Sequence, residues 1–305
     1  MKYDIDRELK SLSIYSGSMV GCMYPMINAA YRMQKCRSDD KVDVKKYTIP
    51  GYKDKNISAL VIEPKESKEN LPAIIFFHGG GFLMSASNAH YQIAKWYAKS
   101  VCCKVIMPDY RLLPDYKYPV AIEDCYNTYL WVLDNADKLG IDRDRIIVTG
   151  DSAGGNISAA VTAMLYDRNK PLPKGEMLIY PVLDKRMVTE SMKRFSDTPI
   201  WDNHCNKLFW DMYLKGTEKE QTKYASLSEI DFLEYFPQTY IEVAEYDCLH
   251  DDGVEFGEKL KGQGVETEVH EVKKACHGYE SIFKSLLVKT CMDRRIDWIK
   301  KIFEH

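Results

Sequence analysis

The sequence has no excess of charge of either sign, because 42 Lys and Arg residues stand against 45 Asp and Glu residues and leave a net charge of −3. It therefore lacks an overall basic field that would recruit nucleic acid or anionic lipid. Internal repeats and low-complexity tracts are also absent. What remains is ordinary for a soluble globular protein: 305 residues, 45% hydrophobic and 29% charged, enough for one large α/β domain with a modest appendage.

The nine cysteines form no C-x-x-C pair, which argues against a zinc site and against a thioredoxin-like motif. Their number is odd, and two of them, Cys102 and Cys103, are adjacent. Free thiols in a reducing compartment are the simplest interpretation, so the sequence predicts a cytoplasmic location.

Residues 11–31 carry no charge, and a signal peptide or membrane anchor must be considered for them. The segment contains four Ser, two Gly, Pro25 and Asn28, so it has no clean apolar centre. We therefore expect no stable membrane insertion. The segment is predicted to lie on the surface, where its Met and Tyr side chains cover an apolar feature such as the mouth of a pocket.

Apolar runs and helical segments alternate along most of the chain, which predicts a mostly parallel sheet covered on both faces. A polar segment at 185–228 interrupts the alternation and is expected to be an inserted helical cap. No linker divides the chain, so residues 1–305 are predicted to form one domain. Strands are predicted at 44–49, 57–63, 73–77, 104–107, 145–149, 177–180, 239–244 and 267–272, and helices at about 88–101, 120–139, 157–166, 252–262 and 279–303.

Residues 150–154, Gly-Asp-Ser-Ala-Gly, fit the pattern G-x-S-x-G. The apolar run 145–149 precedes them and a helical run at 156–166 follows, which is the strand–turn–helix context of a nucleophile elbow. Such a sharp turn lifts a serine hydroxyl clear of the sheet, and small neighbours let the backbone adopt strained dihedrals. Ser152 is therefore the predicted nucleophile, and it needs a base, an orienting acid and oxyanion donors.

In this architecture the acid and then the histidine follow the serine along the chain. His250, His270 and His277 follow it outside the expected cap and the chain terminus. His270 falls within a predicted strand. His277 lies in a loop after the last strand, beside Gly278, which permits a tight turn. His277 is therefore the predicted base.

The acid is expected where the preceding strand ends. Asp247 comes just past the strand at 239–244 and is favoured, with Glu245 as a weaker alternative. Asp251 and Asp252 are expected to cap the next helix, because acidic side chains satisfy free N–H groups at helix starts.

A glycine run at 79–81 follows His78 and the apolar strand 73–77, which matches the HGGG-type motif of esterases. Glycines let the backbone approach a developing negative charge, so the predicted oxyanion donors are the N–H groups of Gly80, Gly81 and Ala153. A nucleotide-binding loop is excluded here, because neither a following Lys-Ser/Thr pair nor a G-x-G-x-x-G pattern is present.

With these residues assembled, the chain resembles the hormone-sensitive-lipase-like group of α/β-hydrolases over about residues 70 to 303. It departs from the group's usual pattern at two places, with Cys248 where relatives have Pro and Tyr279 where they often have Phe. The motifs that carry the resemblance are HGGGF at 78–82, DYRLLP at 109–114, YPVAIED at 118–124, GDSAGGN at 150–156, Asp247, and His277 with Gly278.

The resemblance implies an α/β-hydrolase fold and the hydrolysis of short- to medium-chain acyl esters through an acyl-enzyme. It implies Ser152 as nucleophile, His277 as base and then acid, and Asp247 as the group that holds the imidazole tautomer. The family places a helical cap over the site, here from about 1–40 and 185–228. It needs no metal and no cofactor.

Other functions stay open beside this one. Removal of acetyl groups from sugars or oligosaccharides, and amide hydrolysis, would use the same triad. A non-catalytic ligand-binding module is disfavoured because His277 is present, and a lipase acting at lipid interfaces is disfavoured by the polar composition. The expected partner is a small-molecule ester, and the sequence is compatible with a homo-oligomer.

Overall fold

The computed structural model describes residues 2–66 and 70–304, and one mostly parallel sheet organises this part of the chain. The spatial order of its strands is β1-β2-β4-β3-β5-β6-β7-β8. The pairs β1–β2 and β2–β4 are antiparallel, and the pairs from β4–β3 to β7–β8 are parallel. The strands are β1 (Val42–Pro50), β2 (Asn56–Pro64), β3 (Leu71–Phe77), β4 (Lys104–Asp109), β5 (Ile141–Asp151), β6 (Gly175–Ile179), β7 (Gln238–Tyr246) and β8 (Thr267–Cys276).

Helices cover both faces of this sheet, as the alternation of the sequence predicts. The core on one face includes residues of α3, α5 and α8, and the core on the other includes residues of α2 and α9. The helices are α1 (Gly17–Met33), α2 (Asn88–Val101), α3 (Val120–Asp134), α4 (Ala136–Leu139), α5 (Ala153–Asp167), α6 (Glu190–Arg194), α7 (Asn203–Tyr213), α8 (His250–Gly262) and α9 (Leu286–Glu304).

The strand β3 shows why the sheet is buried on both sides. All seven of its residues are buried. Successive side chains of a strand point to opposite faces, so Ala73, Ile75 and Phe77 enter one core while Ile74 and Phe76 enter the other. A strand in this position has no polar face, which is why it appears in the sequence as an unbroken apolar run.

Two predicted helices are interrupted in the structure. The helix expected over 120–139 breaks at Asn135, whose side-chain amide donates to the Trp131 carbonyl oxygen at 2.9 Å. The helix expected over 279–303 begins only at Leu286, because residues 279–282 form a separate 3-10 turn. Both breaks involve local hydrogen bonds that apolar periodicity does not encode.

The uncharged N-terminal segment forms the helix α1, preceded by a 3-10 helix at Arg7–Ile14. Helix α1 packs against α7, where the Cys205 thiol lies 2.6 Å from the Gly17 carbonyl oxygen. Four methionines of α1 stay exposed, so this helix has an apolar surface that the polar overall composition does not indicate. They are Met19, Met23, Met26 and Met33. Within residues 2–66 and 70–304, no helix is long and apolar enough to span a bilayer.

A buried charge cluster joins the last helix to the sheet. Arg295 of α9 is 1% exposed and forms ion pairs with Glu242 of β7 and with Glu280. The Arg295 Nη2 lies 2.7 Å from the Glu280 Oε1. The same nitrogen donates to the Tyr279 hydroxyl at 2.7 Å, and Tyr279 donates to Glu242. Burial opposes the charge on Glu242, but Arg295 prevails and holds the pKa of that carboxyl below its usual value.

We expect Arg295→Met to destabilise the fold by about 3–5 kcal/mol at neutral pH, because it leaves buried carboxylates without their cation. The wild-type pair contributes stability above the unfolded pKa of Glu242 and loses it as pH falls through the depressed folded pKa. That contribution is still complete at pH 5, whereas in the variant the buried carboxyls of Glu242 and Glu280 lack a cation and take up protons as pH falls, so the variant's deficit should shrink between pH 8 and pH 5. Urea unfolding at both pH values measures it. The control is Lys300→Met at an exposed position of α9, and an equal effect of both substitutions would contradict the prediction.

Candidate active site

The turn between β5 and α5 has the geometry of a nucleophile elbow. Ser152 has φ 54° and ψ −117°, a backbone conformation that residues other than glycine rarely adopt. A Cβ on Gly154 would overlap the Phe77 carbonyl oxygen, and a Cβ on Gly150 would overlap the backbone of Gly154. Both glycines of the G-x-S-x-G pattern are therefore required by contact with neighbouring backbone.

Ser152, His277 and Asp247 form a continuous hydrogen-bonded chain. The His277 Nε2 atom lies 2.9 Å from the Ser152 Oγ, and its Nδ1 lies 2.6 Å from the Asp247 Oδ2. Asp247 is fully buried, and its other oxygen accepts the N–H of Leu249 at 3.0 Å. Because the carboxylate can only accept, Nδ1 carries the proton and Nε2 is free to accept one from the serine.

The sheet order explains how residues so distant in sequence meet. β5, β6, β7 and β8 are parallel neighbours in that order, so their carboxyl ends lie at one edge. Ser152 follows β5, Asp247 follows β7 and His277 follows β8. Sites of open α/β sheets form at this edge.

The other polar candidates lie elsewhere. His270 pairs with Glu268 at 2.9 Å, and His250 pairs with Asp251 at 2.7 Å. Glu245 accepts the backbone N–H of residue 274.

The expectation that Asp251 and Asp252 cap the helix α8 is wrong. Both lie in its first turn, but Asp251 accepts the N–H of Ser191 at 2.7 Å and Asp252 accepts the Thr189 hydroxyl at 3.0 Å. They therefore attach the segment around α6 to α8. Burial raises the pKa of Asp252 well above its ordinary value.

The glycine loop after β3 lies beside the serine. Gly80 and Gly81 have φ of 110° and 60°, and no acceptor in the described part of the chain takes either N–H. Both glycines line the same cavity as Ser152 and His277, whereas Ala153 is buried as the first residue of α5. The loop thus offers free backbone donors next to the serine hydroxyl.

Asp151, the variable residue before the serine, holds this glycine loop in place. Its Oδ1 accepts the N–H of Gly79 at 3.0 Å, and its Oδ2 lies 3.2 Å from the His90 Nε2. Burial opposes the charge on His90, but the Asp151 carboxylate prevails and raises the pKa of the imidazole. This role has no signal in the sequence, because residue 151 stands at a variable position of the G-x-S-x-G pattern.

The thiol that replaces the family's proline is inert. Cys248 is fully buried, and burial raises the pKa of its thiol well above the ordinary value. A protonated, inaccessible thiol does not act as a nucleophile. In residues 2–66 and 70–304, no group of three or more His, Cys, Asp or Glu side chains is arranged to hold a metal ion.

A small, largely apolar cavity of about 100 Å³ opens over the serine. Trp201, from the segment between α6 and α7, closes it above the glycine loop. Its ring lies 5.8 Å from that of His277, and a Cβ on Gly81 would come within 2.9 Å of it. The apolar and aromatic lining includes Val20, Tyr31, Met84, Ile93, Tyr180, Ile200 and Trp201.

The chain is similar in sequence to a known protein family and to characterised esterases. The profile of the family described as alpha/beta hydrolase fold matches residues 74–281. The carboxylesterase NlhH of Mycobacterium tuberculosis is 33% identical over 228 residues, which cover 73% of this chain and 71% of that protein. The arylesterase of Saccharolobus solfataricus is 30% identical over 242 residues, covering 79% and 76%.

The solved structure of a bacterial heroin esterase superposes on this chain with a TM-score of 0.89. The alignment covers 99% of both chains at 26% sequence identity.

We expect Gly154→Ala to destabilise the protein by more than about 4 kcal/mol, because the new methyl group would overlap a backbone carbonyl. Gly262→Ala is the matched control. Its Cβ meets nothing within 4 Å at the end of α8, so a change of at most about 1 kcal/mol, towards stability, is expected. Urea unfolding measures the free energy of unfolding of both variants. Equal values for the two would show that the elbow is not close-packed.

Proposed function

The chain belongs to the hormone-sensitive-lipase-like family of α/β-hydrolases, and on that premise we propose that it hydrolyses short-chain carboxylic esters through a Ser152 acyl-enzyme. It is a carboxylic ester hydrolase, like the relatives named above. The observation that carries the proposed mechanism is the unbroken chain of hydrogen bonds from Ser152 through His277 to Asp247.

Acylation begins when the Ser152 Oγ attacks the ester carbonyl carbon while its proton moves to the His277 Nε2. Asp247 keeps Nδ1 protonated and stabilises the imidazolium that forms. The oxyanion is then held by the N–H groups of Gly80, Gly81 and Ala153. When the carbon–oxygen bond breaks, the departing alkoxide takes the proton from His277 and leaves as an alcohol.

Deacylation repeats these steps with water. His277 removes a proton from a water molecule, the hydroxide attacks the acyl carbon, and the oxyanion forms again in the same donors. Collapse expels the serine oxygen, which recovers its proton from His277. The products are a carboxylic acid and the original enzyme.

The cavity favours a small acyl group. Its volume of about 100 Å³ is below the roughly 150 Å³ of an apolar cavity that holds benzene. We therefore propose acyl chains of about four carbons or fewer. Residues of both proposed cap segments line the cavity, Val20 and Tyr31 from α1 and Ile200 and Trp201 from the second segment, which supports the proposed cap of about 1–40 and 185–228.

The same small cavity would accept an acetyl group from any alcohol, so acetylated sugars stay among the proposed substrates. A purely ligand-binding role is not favoured, because a binding module has no need of His277 aligned with both Ser152 and Asp247. The nine unpaired thiols support the proposed location in a reducing compartment, the cytoplasm.

Ser152→Ala should abolish turnover of p-nitrophenyl acetate, and Asp247→Asn should lower kcat by about 10⁴-fold because it stabilises the wrong imidazole tautomer. Asp251→Asn is the matched control. It removes a neighbouring carboxylate that binds Ser191 and His250 but not His277, so kcat/KM should stay near the wild-type value. Steady-state kinetics, with circular dichroism to verify folding, test this. A larger loss in Asp251→Asn than in Asp247→Asn would overturn the assignment of the acid.

Among p-nitrophenyl esters, kcat/KM should fall at least about tenfold between the butyrate and the octanoate, because the longer chain does not fit beneath Trp201. Trp201→Ala should restore much of the octanoate activity. Leu208→Ala, which removes an exposed side chain of α7 outside the cavity, should leave the ratio unchanged. A wild-type enzyme that prefers octanoate would refute the proposed acyl length.

A further inference from the structure

A second cavity, of about 450 Å³, lies beside the catalytic one. The glycine loop separates them, since Gly80 and Gly81 line the catalytic cavity while His78 lines the second, and Tyr31 borders both. The proposed ester hydrolysis uses no part of this second cavity. Its polar lining includes Arg32, Lys35, Lys46, Ser58, His78 and Asp109.

His78, one of the residues that line this second cavity, carries a hydrogen-bond acceptor that is not used within the described part of the chain. Its Nδ1 lies 2.8 Å from the Gly79 carbonyl oxygen and must therefore carry the proton. The ring stacks on Tyr110 with 4.4 Å between centroids and is 1% exposed. Its Nε2 is buried and has no hydrogen-bond partner in the part of the chain that the structure describes. Because burial and the neighbouring His90 hold the pKa of His78 near 4, the ring is neutral and Nε2 accepts a hydrogen bond.

Three exposed cations of the lining have no carboxylate partner among the residues that the structure describes. Across residues 2–66 and 70–304, neither Arg32 nor Lys35 nor Lys46 forms an ion pair. The acid among the lining residues, Asp109, accepts the Ser58 hydroxyl at 3.2 Å. The cavity therefore combines a net positive charge with two acceptors, His78 and Asp109.

We propose that this second cavity is a binding site for a small hydroxylated anion, a phosphate ester of a polyol being the class that fits best. A phosphate would be held by Arg32, Lys35 and Lys46, whose charges are otherwise unmatched. Hydroxyl groups of the same molecule would donate to the His78 Nε2 and to Asp109. Both halves of the ligand contribute, because an anion alone leaves the buried His78 acceptor unpaired and a polyol alone gains no attraction from the three exposed cations.

The position of this site beside the glycine loop gives it a route to the reaction. His78 begins the loop whose next residues are the proposed oxyanion donors, and its carbonyl oxygen accepts the Tyr110 hydroxyl at 2.6 Å. A ligand bound to the His78 ring would therefore contact the same loop that holds Gly80 and Gly81, without entering the catalytic cavity.

Isothermal titration calorimetry of Ser152→Ala with glycerol 3-phosphate tests the proposal without any catalytic turnover. At constant ionic strength we expect saturable binding at one site, with glycerol and inorganic sulfate each binding at least tenfold more weakly. In the same background, Arg32→Gln/Lys35→Gln/Lys46→Gln should lower the affinity at least tenfold.

The control is Lys55→Gln/Lys138→Gln/Lys215→Gln, which removes as much charge from exposed positions outside the cavity. It should bind like the parent. Equal losses in the two triple variants would reduce the effect to general electrostatics, and absence of saturable binding would show that the cavity holds only solvent; either result overturns the proposal. Neither bears on Ser152, because the titration measures binding alone.

Discussion

The close approach of the α5 start to the end of β3 is the constraint on which the site depends. Residue 154 lies against the Phe77 carbonyl oxygen so tightly that no side chain fits. The next residue after Phe77 is His78, which begins the glycine loop. One contact between two backbones therefore fixes the distance between the serine and the N–H groups beside it. The acid and histidine are placed by the sheet order, and the charge of Asp151 then links the elbow to the loop through Gly79.

Much of the architecture could be predicted from the sequence because strands buried on both faces are unbroken apolar runs, and 73–77 is the clearest example. The elbow and glycine loop were predictable for a different reason, since each needs glycine where backbones touch or turn. Ser152 was predicted from the elbow pattern, and Asp247 and His277 from their positions after strand ends; the structure brings these three side chains together. The fold class and the family are confirmed, whereas the roles of the residues stay predictions.

Prediction from the sequence failed for polar side chains that have several possible hydrogen-bond partners. Asp251 and Asp252 stand at a helix start, and their role became visible only with Ser191 and Thr189 in place. Tyr279 appeared in the sequence merely as a departure from phenylalanine. Its hydroxyl lies between Glu242 and Arg295, residues that are far away along the chain, so no local pattern could have indicated it. Long-range polar pairing of this kind has no periodicity.

The buried Arg295 also has a consequence for how the enzyme folds during its synthesis. The loop after His277 is tied through Glu280 to Arg295 in the middle of α9, and the Tyr180 ring, which packs 4.5 Å from His277, binds the same carboxylate. Synthesis proceeds from the amino to the carboxyl terminus, so the strands of the sheet are made before Arg295. A ribosome-bound chain would thus carry Ser152 while its histidine loop still lacked this support, and proteolytic loss of α9 would remove both Arg295 and the apolar side chains that α9 contributes to one core.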